Sequence, residues 1–248
     1  MKMVRITRLL VVFILLALSV QTLFGVVDYK KRMGLSKNFH YYKVMGDRFR
    51  NMREYSMAIK NYEYALALNP ECAECYLFLG KIKYQKNIYV EAIKELHMAI
   101  EKPFQYAYDR MRSFYLLATI YFKINREGKA IEILKNITRE YETLKDRAVE
   151  ARLIEPSHYA PAFFLIGLYY RNNGFLDQEK LSYFIKSMQL NYKKDFCNYF
   201  IYEYYNGKSP DEAYRYLNQA MTVNPNIQAD LQKATWLKDY SLYEELEE

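Results

Sequence analysis

Apolar residues recur every three or four positions over most of this chain, and the pattern predicts a succession of amphipathic helices. The apolar positions of the first such stretch, residues 39–52, step by 3, 4 and 3 and are Tyr42, Met45, Phe49 and Met52. A second stretch, residues 55–68, ends at Asn69-Pro70, because proline lacks the amide donor that a helix needs. The chain shows no strand-like alternation, so the sequence predicts an all-α fold.

Residues 39–106 contain two copies of the same helical hairpin pattern. Gly46 precedes Gly80 by 34 residues, and Ala58 precedes Ala92 by the same interval. Small residues at these places let two helix axes approach to the usual distance of about 8–10 Å, so we expect Gly46 to face Ala58. One hairpin cannot bury its apolar face alone, and several must therefore stack.

This repeat resembles the tetratricopeptide repeat (TPR) family over roughly residues 39–225. The residues that carry the resemblance are Tyr42, Met45-Gly46, Phe49, Ala58, Tyr62, Ala65, Pro70, Tyr76, Leu79-Gly80, Ala92, Leu96 and Ala99. The resemblance implies a right-handed α-solenoid of about five helix-turn-helix repeats, followed by a capping helix within residues 226–248. It also implies a concave surface that binds peptides or helices of partner proteins.

A basic, acid-free leader precedes a nearly continuous apolar run from Leu9 to Val27. A helix of this length approaches the hydrocarbon thickness of a bilayer, about 30 Å. We expect residues 1–27 to form a hydrophobic helix that anchors the protein in a membrane, with residues 28–38 as a basic juxtamembrane linker. The repeats would then lie outside the cytoplasm, on the periplasmic side. A cleaved signal peptide, leaving a secreted or periplasmic protein, is the alternative.

Composition and charge narrow the classes of partner. The net charge is +7, with basic and acidic residues well mixed beyond the leader, so we expect no nucleic acid partner. Tyrosine is abundant, with 27 residues, and the repeat gives it a place between packed helices.

Cys72 and Cys75 lie in the turn between the two clear hairpins. Redox chemistry would require a βαβ context, and a zinc site would require two more ligands, which the scattered histidines do not supply. We therefore expect no metal and no cofactor. The pair is interpreted as small residues in a turn that starts a helix, with a disulfide in an oxidising compartment as the alternative.

The sixth predicted helix continues beyond the length usual for a TPR helix. Its apolar residues form a heptad seam over residues 130–151, and they are Ala130, Leu134, Ile137, Tyr141, Leu144, Ala148 and Ala151. A longer helix that packs on the next hairpin explains this seam. Self-association through the same seam is the functional alternative.

The sequence contains no phosphate-binding loop, no nucleophile elbow and no metalloprotease motif, so we expect no enzyme. The TPR resemblance implies that the first helix of each pair lines the groove. The residues expected to bind a partner there are Lys43, Arg50, Lys81, Tyr84, Tyr115, Phe122, Arg171, Asn198, Tyr202 and Tyr205. Asp47 follows Lys43 by one turn and would repel a carboxylate, which argues against recognition of a C-terminal carboxylate.

These expectations give two functional hypotheses. The first is a membrane-tethered TPR scaffold that mediates protein–protein interactions in a cell-envelope assembly. The alternative is an accessory protein of an envelope or uptake system that binds a small ligand, which would require a closed apolar pocket.

Overall fold

The computed structural model describes residues 37–144, 155–234 and 240, and no strand occurs among these residues. The chain divides into two compact units, residues 1–104 and 105–248. The helices described in the first unit are α1 (Phe39–Asn51), α2 (Tyr55–Leu68), α3 (Ala73–Gln85) and α4 (Tyr89–Glu101). They form two hairpins, α1 with α2 and α3 with α4.

The second unit contributes three more hairpins. Its described helices are α5 (Ala107–Lys123), α6 (Glu127–Leu144), α7 (Ala160–Asn172), α8 (Leu181–Gln189), α9 (Lys194–Tyr205), α10 (Pro210–Val223) and α11 (Ile227–Lys233). A single 3-10 turn, Pro156–Tyr159, precedes α7. Consecutive helices pair α5 with α6, α7 with α8 and α9 with α10, so the expected five helix pairs are confirmed.

Both predicted terminal elements extend beyond the described residues. The hydrophobic segment 1–27 and most of the linker 28–38 lie outside them, and the anchor stays a prediction. Among the helices that the structure does describe, none is both long and apolar enough to cross a bilayer. Helix α11 accounts for the beginning of the expected capping helix, and only Tyr240 is described beyond Ala234.

Glycines leave room where the two helices of a pair cross. A Cβ atom added at Gly46 would lie 2.7 Å from the ring of Tyr62, and one added at Gly80 would lie 2.8 Å from Cγ of Leu96. Gly46 therefore makes its closest approach to Tyr62, one turn beyond the expected Ala58. The prediction of a close crossing is confirmed, but the group that fills it is a large ring because the missing Cβ makes a recess for it.

Tyr62 is fully buried in the core of the first unit. Its hydroxyl donates a hydrogen bond to Oδ1 of Asp47 over 2.7 Å. Burial raises the pKa of Tyr62 well above its usual value, so the phenol is neutral. This tyrosine fills the space between helices, as its abundance in the sequence suggested.

Cys72 and Cys75 are joined by a disulfide in the turn before α3, and both are buried. The structure thus contains the disulfide that the sequence analysis gave as the alternative interpretation of this pair. Sγ of Cys72 also accepts a hydrogen bond from the amide of Cys75, which caps the start of α3. Cys197 is a free, buried thiol in α9, and burial raises its pKa.

The described part of the heptad seam is used inside the chain. Ala130, Leu134 and Ile137 are buried, and α6 packs against α5 and α7. Tyr141 contacts the ring of Phe163, with 5.5 Å between ring centroids. The described part of this face of α6 is therefore covered within the chain. Residues 145–151 lie outside the described part, and self-association through the seam stays a prediction.

Candidate functional site

A cavity of about 1010 Å³ opens between helices of the second unit. It lies between the first residue of α6, the C-terminal end of α7, the exposed side of α9 and the helix α11. The residues that line it are Glu127, Arg171, Asn172, Asn173, Tyr199, Glu203, Gln228, Leu231, Gln232, Ala234 and Tyr240. We refer to this cavity as the groove.

Arg171 and Glu203 form the ionic part of the groove. Nε and Nη2 of Arg171 donate to the two carboxylate oxygens of Glu203 over 2.6 and 3.0 Å, in a two-pronged pair. The guanidinium also lies 4.3 Å from the ring centroid of Phe200. Ring and carboxylate together fix the position of the arginine and tie α7 to α9.

Carboxamides supply most of the remaining polar groups of the groove: Asn172, Asn173, Gln228 and Gln232. Each carboxamide carries a donor and an acceptor, the same pair that a peptide unit offers. Asn173 is held in place because its Nδ2 donates to the carbonyl of Tyr169 over 3.0 Å. Uncharged groups of this kind can pair with an extended backbone.

Tyr199 adds an aromatic surface on α9. Burial raises its pKa and the nearby carboxylate of Glu203 raises it further, while a hydrogen bond with Gln228 acts in the opposite direction. The phenol is thus neutral at physiological pH and offers a hydroxyl together with a flat apolar face.

Tyr240 occupies one end of the groove. Its ring stacks on Phe122 of α5, with 4.2 Å between centroids and 16° between planes. Nδ2 of Asn172 donates to its hydroxyl over 3.4 Å. Only 4% of the surface of Tyr240 is exposed, so the residue is enclosed by helices from earlier in the chain. Phe122 of α5 precedes it by more than a hundred residues, and Asn172 precedes it by 68.

The expected binding residues of the first unit already make contacts within it. Lys43 pairs with Asp47 over 3.3 Å, and the guanidinium of Arg50 lies 3.6 Å from the ring centroid of Phe78. Lys81 is half-buried on α3. Tyr84, on the same helix, is buried. Their role in partner binding stays a prediction.

In the second unit, the structure places the expected residues in three different surroundings. Arg171 lines the groove, and Phe122 lies beneath Tyr240. Tyr115 and Asn198 are buried, with the hydroxyl of Tyr115 donating to the carbonyl of His158 over 2.7 Å.

Tyr202 and Tyr205 are half-buried on α9 but do not line the groove. Tyr205 stacks on Tyr216 of α10, with 6.0 Å between centroids. On α9 the groove is lined by Tyr199 and Glu203, each one position after an expected residue. One residue turns a helix by about 100°, so Tyr202 and Tyr205 lie on a neighbouring face of α9, and their role in partner binding stays a prediction.

A smaller recess of about 220 Å³ lies at the other end of α5. It is lined by Tyr108, Arg112, Tyr115, Ser157, His158, Pro161 and Tyr192. Nδ1 of His158 is buried there and has no hydrogen-bond partner among the described residues. The imidazole lies against Tyr108, with 4.7 Å between ring centroids.

No group of three or more histidine, cysteine, aspartate or glutamate side chains converges as a metal site in the part of the chain that the structure describes.

No protein-family model matches this sequence, and no curated protein matches it significantly. Several solved structures are similar to it. The chain is similar to MamA with 22% identity and a TM-score of 0.55, over 76% of this chain and 92% of that one. It is similar to YrrB, a TPR protein with an unusual peptide-binding site, with 22% identity and a TM-score of 0.56, over 83% of this chain and 97% of that one.

A third similar structure is the C-terminal part of a TPR repeat-containing protein from Cytophaga hutchinsonii. It shares 16% identity with a TM-score of 0.56, over 77% of this chain and 71% of that one. These similarities show that the helix pairs of the chain have the TPR fold.

Proposed function

We propose that this protein is a non-catalytic interaction scaffold whose groove holds an extended peptide segment of a partner protein. The observation that carries the proposal is the lining of the groove. The carboxamides of Gln228 and Gln232 carry the donor and acceptor groups with which a peptide backbone pairs, and Tyr199 supplies contact area at low cost in side-chain entropy. The peptide-binding site of YrrB, a protein of the same fold, supports this choice.

Glu203 and Glu127 outnumber the one arginine among the residues that line the groove. Arg171 is already neutralised by its two-pronged contact with Glu203. The groove therefore favours a peptide that is uncharged or basic where it passes the start of α6, because a carboxylate there would meet Glu127 without a compensating cation.

Selection from a random peptide library on the full chain tests this proposal. Tyr199→Ser should weaken the selected peptides by about tenfold or more, since removal of a central aromatic anchor costs about 2 kcal/mol. Tyr214→Ser is the matched control, because Tyr214 is 71% exposed on α10 and does not line the groove. Peptides that bind both variants equally would place the binding surface elsewhere.

We also propose that the protein is tethered to a membrane by residues 1–27, with the repeats outside the cytoplasm in an envelope assembly. The apolar run and its basic leader support the tether. The disulfide between Cys72 and Cys75 supports the compartment, since disulfides persist in oxidising environments.

Protease protection on intact cells, combined with N-terminal sequencing, tests orientation and cleavage together. Repeats on the periplasmic side should be digested only after the outer permeability barrier is opened, and the intact leader should remain at the N-terminus. Digestion that also requires disruption of the inner membrane would contradict the proposed side.

The recess at His158 favours a second candidate function, binding of a small ligand. Its aromatic walls and the unsatisfied Nδ1 of His158 would suit a small ring compound that donates a hydrogen bond. Native mass spectrometry of the purified protein should then reveal a bound compound that is lost in His158→Phe. A spectrum of the bare chain, unchanged when small aromatic compounds are added, would remove this alternative.

A further inference from the structure

We infer that the end of the groove next to Phe122 and Asn172 is a tyrosine-reading site occupied by the chain's own Tyr240, and that the partner is a peptide whose tyrosine takes this place. The inference rests on the proposed function and adds to it both the chemistry of the partner and the group with which the partner competes.

The contacts of Tyr240 define what the site accepts. Phe122 offers a flat ring at stacking distance, 4.2 Å between centroids. At the far end of the same side chain, Nδ2 of Asn172 lies 3.4 Å from the hydroxyl. Stacking selects an aromatic side chain, and the amide donor favours one that ends in an acceptor. Tyrosine meets both conditions, whereas phenylalanine meets only the first.

The immediate sequence around Tyr240 agrees with the electrostatics of the groove. Lys238 and Asp239 precede it and Ser241 and Leu242 follow it, so the flanking residues carry no net charge. The lining of the groove, with Glu127 and a neutralised Arg171, likewise offers no excess of positive charge that would attract an acidic segment. An external peptide needs the same pattern, an uncharged or basic flank on a tyrosine anchor.

Tyr240 competes with such a peptide from within the same chain. Covalent attachment gives it an effective concentration that reaches the millimolar range for a short connection. A free peptide with the same contacts must exceed that concentration to displace it. Wild-type protein therefore binds an external tyrosine peptide weakly, and loss of the internal side chain tightens binding without any new contact.

The test uses the full chain and a fluorescein-labelled peptide of residues 235–242, whose side chains carry no net charge and include no second tyrosine, with binding followed by fluorescence anisotropy. Tyr240→Ser protein should bind this peptide about tenfold or more tightly than wild type. Tyr214→Ser protein should bind it as wild type does, since Tyr214 lies on a different surface. A peptide in which serine replaces the tyrosine at position 240 should not bind to any variant.

Two further variants keep the result interpretable. Phe122→Ala combined with Tyr240→Ser should lose the gained affinity, because the stacking surface is gone. Tyr240→Phe keeps the ring but lacks the hydroxyl, and should tighten peptide binding about threefold. Tyr240→Phe is the variant that tests the inference if circular dichroism shows that Tyr240→Ser does not fold. Equal peptide affinity in wild type and in every folded Tyr240 variant would overturn the inference.

The library peptides separate this inference from the proposed function. If they bind wild type and Tyr240→Ser equally while remaining sensitive to Tyr199→Ser, the groove binds peptides but Tyr240 is no competitor, and the inference alone fails. If no peptide binds any variant at the groove, the proposed function and the inference fail together.

Discussion

Gly46 of α1 lies against the buried ring of Tyr62 in α2, and a Cβ atom at position 46 would be 2.7 Å from two of the ring carbons. The ring cannot move aside, because Tyr62 is fully buried and its hydroxyl is bonded to Asp47. The packing of the first hairpin therefore requires glycine at position 46, because any larger side chain would clash with the ring of Tyr62.

Gly46→Ala should lower the free energy of unfolding by about 1–3 kcal/mol, the usual cost of overpacking a core. Gly128→Ala provides the control, since Gly128 is also helical but its added Cβ would meet nothing within 4 Å beyond the backbone of its own helix and its chain neighbours. That change should be neutral or should stabilise by about 0.5–1 kcal/mol. Urea denaturation followed by circular dichroism measures both, and equal effects would contradict the close crossing.

Buried tyrosines predict a loss of stability in alkali. Burial raises the pKa of Tyr62 and Tyr115, and it raises the pKa of Tyr159 to about 12. Below about pH 10 these phenols are protonated in both the folded and the unfolded chain, and they add no pH dependence. Above it the unfolded chain releases protons that the folded chain retains, so stability falls as the pH rises.

Titration of the protein from pH 9 to 12 checks this expectation, with phenolate absorbance and helical circular dichroism recorded together. Part of the phenolate signal should appear only when helicity is lost. Tyr159→Phe should reduce the loss of stability between about pH 10 and 12, since that residue no longer ionises on unfolding. Complete ionisation of all tyrosines in a fully helical chain would contradict the burial described.

The Arg171–Glu203 pair should contribute more to the shape of the groove than to stability. Its side chains are 28% and 36% exposed, and pairs of this kind are worth about 0.2–1 kcal/mol. A double-mutant cycle with Arg171→Gln and Glu203→Gln should return a coupling energy in that range. A value of several kcal/mol would mean that the pair is desolvated far beyond what its exposure indicates.

Counting reactive thiols checks the disulfide. The folded chain should take up no iodoacetamide, because Cys72 and Cys75 are bonded to each other and Cys197 is buried with a raised pKa. Denaturation without a reductant should expose one thiol, and denaturation with a reductant should expose three. Mass spectrometry gives these counts directly, and three alkylated residues without a reductant would show that the pair is reduced.

Sequence periodicity was sufficient to predict the helix pairs. Gly46, Gly80 and Pro70 mark crossings and ends that depend on backbone geometry, and backbone geometry is readable from residue type. The identity of the group opposite Gly46 was not readable, since Ala58 and Tyr62 lie one turn apart on the same face of α2. Only the relative height of the two helices, which packing decides, selects Tyr62.

The groove was harder to predict for two reasons. On α9, tyrosines at 199, 202, 204 and 205 surround the helix, so hydrophobicity alone does not tell the inner face from the outer one. The face lined by Tyr199 and Glu203 follows from the ion pair with Arg171, a contact across 32 residues of sequence. Tyr240 lies farther still from its partners, and no local pattern links it to Phe122.

The position of Tyr240 late in the chain also sets an order of events during synthesis. Helices α5 and α7 emerge from the ribosome before Tyr240 does, so the place between Phe122 and Asn172 exists for a time without its internal tyrosine. A partner peptide that is present at that stage meets an unoccupied site and needs no excess to enter it. Loading during translation would then be easier than loading of the finished protein.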